Sequence, residues 1–133
     1  MAEFNDNNNC FVCGIKNKIG LKLKFRYIKK SDLVKSDIIF QDHFQGWANV
    51  VHGGLISTVL DEIMIKTAEI RGLKCVTAEI NINFKKPALT KTKYILNGKI
   101  KEIRRKIIFT EASIQDLNNI TIATANAKLF IIN

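Results

Sequence analysis

The residues best suited to chemistry lie in one stretch, Val51-His52-Gly53-Gly54-Leu55-Ile56-Ser57-Thr58-Val59-Leu60-Asp61-Glu62. Two glycines at the mouth of an amphipathic helix leave backbone N–H groups uncovered, where the helix dipole favours negative charge. With no side chain at Gly53 or Gly54, a carbonyl oxygen can approach those donors, as acyl transfer requires. Asp61 and Glu62 follow two turns later, and a helical wheel separates them. Asp61 has Ser57, Met64, Ile65 and Ala68 as neighbours, small and apolar residues that would strip water from a carboxylate and strengthen it as a base. Glu62 lies among Thr58, Ile65, Lys66 and Glu69 and reads as a solvated acid. A tight turn followed by a helix acid pointing to water accounts for the same residues without chemistry.

His52 is either a base or substrate contact, or a loop histidine held by hydrogen bonds. No Ser or Cys beside it forms a nucleophile motif, so a catalytic triad is disfavoured. Thr77 shares a strand face with Glu79, Asn81 and Asn83. Its hydroxyl could orient a water beside a carboxylate, although a threonine there is usually just a good strand former.

The elements that must position these residues follow from periodicity. Leu21, Leu23, Phe25 and Tyr27 alternate with Lys22, Lys24 and Arg26, and Leu33 to Phe40 resumes an extended pattern after Lys30-Ser31-Asp32, which predicts a hairpin. Gln41 to Gly54 has neither period, and a loop of that length in a compact domain tends to be functional. Ile56, Val59, Leu60, Ile63, Met64 and Ile70 form one helical stripe that ends near Arg71-Gly72. Val76, Ala78, Ile80, Ile82 and Phe84 then alternate with polar residues until Pro87. Strands at 94–103, 107–114 and 120–131 complete the chain. One helix cannot cover both faces of a parallel sheet, so the expected class is α+β, an antiparallel sheet wrapped around that helix. With 133 residues, one domain suffices, its first nine residues frayed.

The net charge of +9 is spread over Lys16 to Lys30, Lys85 to Lys106 and Lys128. It suits a polyanion, whether nucleic acid, a phosphorylated ligand or an acidic membrane, or else plain solvated strand faces. No segment approaches the roughly 18 apolar residues of a membrane span, and the N-terminal residues do not read as an export signal, so a soluble cytoplasmic protein is expected. Cys10, Cys13 and Cys75 are an odd set that argues against a disulfide scaffold. Cys10-Phe11-Val12-Cys13-Gly14 has the spacing of half a zinc site, but no second pair exists. A packed turn closed by Gly14 is the better reading, and no metal is expected.

His52-Gly53-Gly54, then Leu60-Asp61-Glu62, then Val76-Thr77-Ala78-Glu79-Ile80-Asn81-Ile82-Asn83-Phe84-Lys85-Lys86-Pro87, closely resemble the hotdog-fold acyl-CoA thioesterases of the PaaI-like type. Cys10 to Gly14, Ile19-Gly20-Leu21 and Gln45-Gly46-Trp47 resemble one branch of that family. The resemblance covers nearly the whole chain and implies a curved antiparallel sheet of about six strands around one long helix. It further implies a homodimer, often a homotetramer, and hydrolysis of an acyl-CoA thioester, with CoA part of the substrate and no separate cofactor. The acid aligned with Asp61 would be general base or nucleophile, the N–H aligned with Gly53 would polarise the carbonyl, and Thr77 would assist the water. Relatives carry an Asn upstream of the histidine where this chain has Gly46, which leaves Gln45 or Asn49 to supply the amide, Gln45 matching the branch. Lys85, Lys86, Arg104 and Arg105 are the candidates for the CoA phosphates. The rivals are an acyl-CoA-binding protein without turnover and a basic nucleic-acid module. The latter would need aromatic residues interleaved with its basic face, yet Phe25, Tyr27, Phe84 and Phe109 fall in core-like strand patterns.

Overall fold

A computed structural model describes residues 3–133. In chain order it contains β1 (Arg26–Ile28), β2 (Leu33–Ile39), a short 3-10 turn (Asp42–Phe44), α1 (Gly53–Glu69), β3 (Cys75–Phe84), β4 (Lys93–Arg104), β5 (Ile107–Gln115) and β6 (Thr121–Ile131). The six strands form one sheet in the order β1-β2-β4-β5-β6-β3, and every neighbouring pair is antiparallel. The expected α+β hotdog architecture is therefore present, with α1 against the inner face of the sheet. No helix among the described residues is long and apolar enough to cross a membrane.

The apolar stripe of α1 explains its seat. Val59, Leu60, Ile63 and Met64 are fully buried and pack in one core with Leu96, Ile108, Ile114 and Leu129 from β4, β5 and β6. Each such side chain contributes roughly 1.5–3 kcal/mol relative to exposure. Gly98 sets how closely helix and sheet approach: a Cβ there would stand 3.2 Å from both Ile63 Cγ1 and the Ile63 carbonyl oxygen. Ile70, expected on the stripe, is exposed, and Thr67 and Ala68 occupy the last buried turn instead. Gly72, at φ +75°, takes the left-handed conformation that turns the chain back to β3.

The first expected strand is shorter than its alternation predicts. Leu21, Leu23 and Phe25 do pack on the core, but the N–H groups of Leu21 and Leu23 donate to the carbonyls of Phe11 and Val12, at 2.8 and 2.9 Å. Alternation reported the burial of these three correctly, but Tyr27, expected in the same row, is exposed, and the hydrogen-bond partner differs because these residues pair with the N-terminal turn. Lys22, at φ +52°, also breaks the extended run. The same turn ties down the end of the segment expected to fray. Lys16 N–H donates to the Asn8 carbonyl at 2.9 Å, and Asn17 Nδ2 donates to the Asn9 carbonyl at 2.9 Å.

Candidate active site

β3 carries the decisive irregularity. Thr77 pairs with Leu129 and Glu79 with Lys128, so Ala78 has no partner and forms a bulge. Strict alternation would place Thr77 outward with Glu79 and Asn81. The extra residue inverts the upstream half of the strand. Cys75 and Thr77 lie opposite Ile131 and Leu129, and Ile80 and Ile82 lie opposite Ala127 and Ala125, all on the inner row. Glu79 and Asn81 remain outside, where they meet Lys128 at 3.1 Å and Asn126 at 3.4 Å. Thr77 thus faces α1, which corrects the face assigned from periodicity. Its Oγ1 donates to Asp61 Oδ1 at 2.5 Å, and both residues are half-buried. The carboxylate is oriented by a strand it does not belong to, with Oδ2 left to act on a second group.

His52 is the N-cap of α1. Its Nδ1 accepts from Gly54 N–H at 2.9 Å, and its own N–H donates to the Phe44 carbonyl at 2.9 Å. Because Nδ1 accepts, a neutral ring carries its proton on Nε2. Gly54 leaves room for the ring, since a Cβ would lie 3.1 Å from Nδ1 and push the imidazole aside by a few tenths of an ångström. His52 therefore occupies one donor at the helix mouth, while the Gly53 N–H has no hydrogen-bond acceptor among the described residues. Gly53 borders an open depression of about 460 Å³ together with Gly46, Trp47, Val51 and His52. Phe84, more than half exposed, stands beside it, 3.5 Å from where a Gly53 Cβ would be.

The loop before the helix is braced rather than slack. Gln45 Oε1 accepts from Asn49 N–H at 2.9 Å, Gln45 bridges Val51, and Val50 bridges Leu89. Since a backbone N–H fixes which end of the Gln45 amide is oxygen, its NH₂ end faces away from that bond. Asn49 sits at φ +63° and contributes its backbone to the brace.

Gly53 and Asp61 do not meet within one chain. They lie eight residues apart on α1, which is about 12 Å along the axis, and neither Asp61 nor Thr77 lines the depression at Gly53. The basic candidates also divide. Lys85 and Lys86 follow Phe84, at the Gly53 end of β3. Arg104 and Arg105 form the β4–β5 turn, next to Phe130 and Val76 at the opposite end and roughly 30 Å away along the strand direction. Arg104 is already engaged, with Glu102 at 2.7 Å and over the Phe109 ring at 5.1 Å. The four do not form one basic surface on a single chain.

Glu62, expected to be solvated, is half-buried and accepts from Cys10 Sγ at 3.2 Å. Burial holds its carboxyl above the usual carboxylate range, although the Cys10 hydrogen bond and Lys66 oppose this. The cause of the miss is range, since Cys10 lies 52 residues earlier in the chain. Cys75, beside Thr77 on the inner row, is a neutral thiol pushed up to about 11, first by burial and then by Glu69 and Asp61.

The chain is similar to known proteins in sequence and in fold. Acyl-coenzyme A thioesterase THEM4 of Mus musculus is 33% identical over 89 residues, which is 67% of this chain and 38% of that protein. The chain thus spans well under half the length of that relative. Among solved structures, the thioesterase superfamily protein RHA08564 superposes with a TM-score of 0.86 at 19% identity, over 94% of this chain and 61% of the other. The protein smu.793 of Streptococcus mutans UA159, bound to acetyl CoA, gives 0.77 at 19% identity, over 84% and 89%. These two likenesses concern the fold. A family model for the thioesterase superfamily matches residues 48–123, from the braced loop through α1 and β3 into β6 and so including Gly53, Asp61 and Thr77, and this chain belongs to that superfamily.

Proposed function

We propose that the chain is an acyl-CoA thioesterase that hydrolyses a thioester to a carboxylic acid and free CoA, with each active site shared by two protomers. The observation that carries this reading is the hydrogen bond from Thr77 to Asp61, which fixes a half-buried carboxylate with one oxygen free. The free Gly53 N–H at the helix mouth is the complementary half, a donor for the oxygen of a polarised carbonyl. The separation of about 12 Å along α1 keeps the two halves of one chain from serving one thioester, so Asp61 would come from the partner protomer. The long free edge of β3 and the exposed Phe84 and Trp47 offer a surface for that partner. A homodimer is the smallest unit this requires, and a dimer of dimers is a further expectation.

In the reaction, Asp61 Oδ2 takes a proton from water while the water oxygen bonds to the carbonyl carbon, or the carboxylate attacks that carbon itself. The carbonyl oxygen gains charge against the Gly53 N–H. On the first route the C–S bond then breaks and the CoA sulfur leaves with the proton that Asp61 took; on the second the sulfur leaves with a proton from solvent, and water then hydrolyses the acyl–Asp61 anhydride, releasing the acid and restoring the carboxylate. Thr77, whose hydroxyl proton is committed to Asp61, positions the carboxylate and can accept from the water. The free NH₂ of Gln45 is the candidate second donor to the carbonyl, and His52 shapes the helix mouth. Lys85 and Lys86 are the phosphate contacts on the Gly53 side, and Arg104 and Arg105 would reach it only from another subunit. No separate cofactor enters this scheme. The name of THEM4 and the acetyl CoA bound to smu.793 support CoA esters as the substrate class. Phe25 and Phe109 lie beneath Lys66 and Arg104 of their own chain, which leaves them ill placed to stack on nucleic-acid bases, whereas Tyr27 and Phe84, expected in core-like patterns, are exposed. Three free cysteines suit a reducing compartment such as the cytoplasm.

Release of free thiol from a panel of aryl, short and long acyl-CoA esters tests the activity, and binding without release would leave a carrier or sensor instead. Mixed dimers test the shared site. Asp61→Asn and Gly53→Pro chains, each inactive alone, should recover roughly a quarter of wild-type turnover when exchanged. Half of a random mixture is heterodimer, and each heterodimer holds one intact site of two. No recovery despite verified exchange would place both halves in one chain.

A further inference from the structure

The face of α1 turned from Asp61 carries a second cluster that the proposed reaction does not use. Cys10 and Cys13 lie on a turn closed by the Gly14 N–H on the Cys10 carbonyl at 2.9 Å. Only glycine closes it, since a Cβ at Gly14 would lie 2.4 Å from the Cys10 nitrogen. Within the turn, Val12 N–H donates to Cys10 Sγ at 3.4 Å, which fixes the place of the sulfur. Glu62 completes the group from α1. The two sulfurs and a Glu62 carboxylate oxygen all lie within 4.8 Å of one another, and all three residues are half-buried. Neither Cys75 nor either histidine belongs to the cluster.

Tetrahedral zinc, with bonds of ~2.3 Å to sulfur and ~2.0–2.2 Å to oxygen, needs its ligand atoms roughly 3.5–3.8 Å apart, so the 3.2 Å contact between Cys10 and Glu62 would open slightly and separations nearer 4.8 Å would close. The charges also fit. Two thiolates and a carboxylate carry three negative charges and a divalent ion leaves one, in the neighbourhood of Lys66, which is shared with Glu69 at 2.8 Å.

We propose that Cys10, Cys13 and Glu62 bind a thiophilic divalent cation, zinc foremost, with a fourth position open to water, clamping the N-terminal turn to α1 one residue beyond Asp61. Half a zinc motif in the sequence thus finds its third ligand in the fold. This site depends on none of the catalytic assignments above.

The test is titration of the full, reduced, chelator-stripped chain with cobalt(II) alone. The expected result is one cobalt per chain, with a thiolate-to-cobalt charge-transfer band in the near ultraviolet and the intense visible bands of a tetrahedral site, all bleached by zinc. C75S should behave as wild type. C10S and C13S should lose the charge-transfer band, and Glu62→Gln should weaken binding by more than the ~10–100-fold that loss of an outer-sphere partner costs. Absence of the band in wild-type protein at saturating cobalt overturns the proposal, and this arm requires no variant to fold. A band that survives C10S, or a Glu62→Gln variant that binds cobalt like wild type with an unchanged spectrum, overturns it too. Formation of a Cys10–Cys13 disulfide in place of metal binding under mild oxidation would likewise count against it.

Discussion

Asp61 and Glu62 are adjacent acids on one helix, both half-buried, yet they face different parts of the molecule. Asp61 meets Thr77, a hydroxyl presented by a bulged strand. Glu62 meets Cys10, a thiol presented by a glycine-closed turn near the start of the chain. Helical geometry turns successive residues by about 100°, so two chemically similar groups receive unrelated surroundings. The Asp61 surroundings hold one carboxylate oxygen and free the other, as a base or nucleophile requires. The Glu62 surroundings gather soft ligands around an acid, as a thiophilic cation requires. Function on this helix is assigned by the elements packed against it.

Substitutions can break that contrast, in order of expected size. Asp61→Asn should lower kcat by about 10²–10⁴-fold in steady-state assays while circular dichroism stays unchanged, because the amide is nearly isosteric and cannot act as a base. Gly53→Pro should lower kcat by about 10²–10³-fold through loss of one oxyanion donor. Proline is tolerated at the first helical position, and His52 at ψ 130° is compatible with a following proline, so the helix signal should persist. Thr77→Val should cost about tenfold in kcat with little change in KM, the worth of a single hydrogen bond of ~1.4 kcal/mol. Glu62→Gln should leave kcat/KM within about threefold of wild type, since surroundings that hold a soft ligand set do not touch the reacting atoms. A loss there as large as that of Asp61→Asn would collapse the contrast and reassign the base.

Much of this contrast could be read in the sequence, and the unread part has physical causes. The helix, the three long C-terminal strands, the glycine mouth and the small border of Asp61 all follow from local periodicity. Of the two readings open for His52, the loop histidine held by hydrogen bonds describes its bond from Gly54 N–H. The inward turn of Thr77 was hidden because Ala78 suits either face of a strand, so alternation gives no sign of an inserted residue. The role of Glu62 depends on a partner 52 residues away, beyond any helical wheel. Lys85, Lys86, Arg104 and Arg105 share a charge, and only sheet register separates them. Arg104 is further diverted to Glu102, two residues before it in the same strand.

The unpaired Ala78 ties the candidate site to the pairing register of one strand. If Ala78 took a regular place opposite Leu129 while Ile80 and Ile82 kept the core, every chemical group of the site would still be present, but Thr77 would look out to solvent beside Glu79 and Asp61 would face Ala78. Deleting Ala78 outright would instead restore unbroken alternation with Thr77 still opposite Leu129 and facing α1. The site is thus exposed to a slip in pairing, and not to loss of the residue that sits out of it.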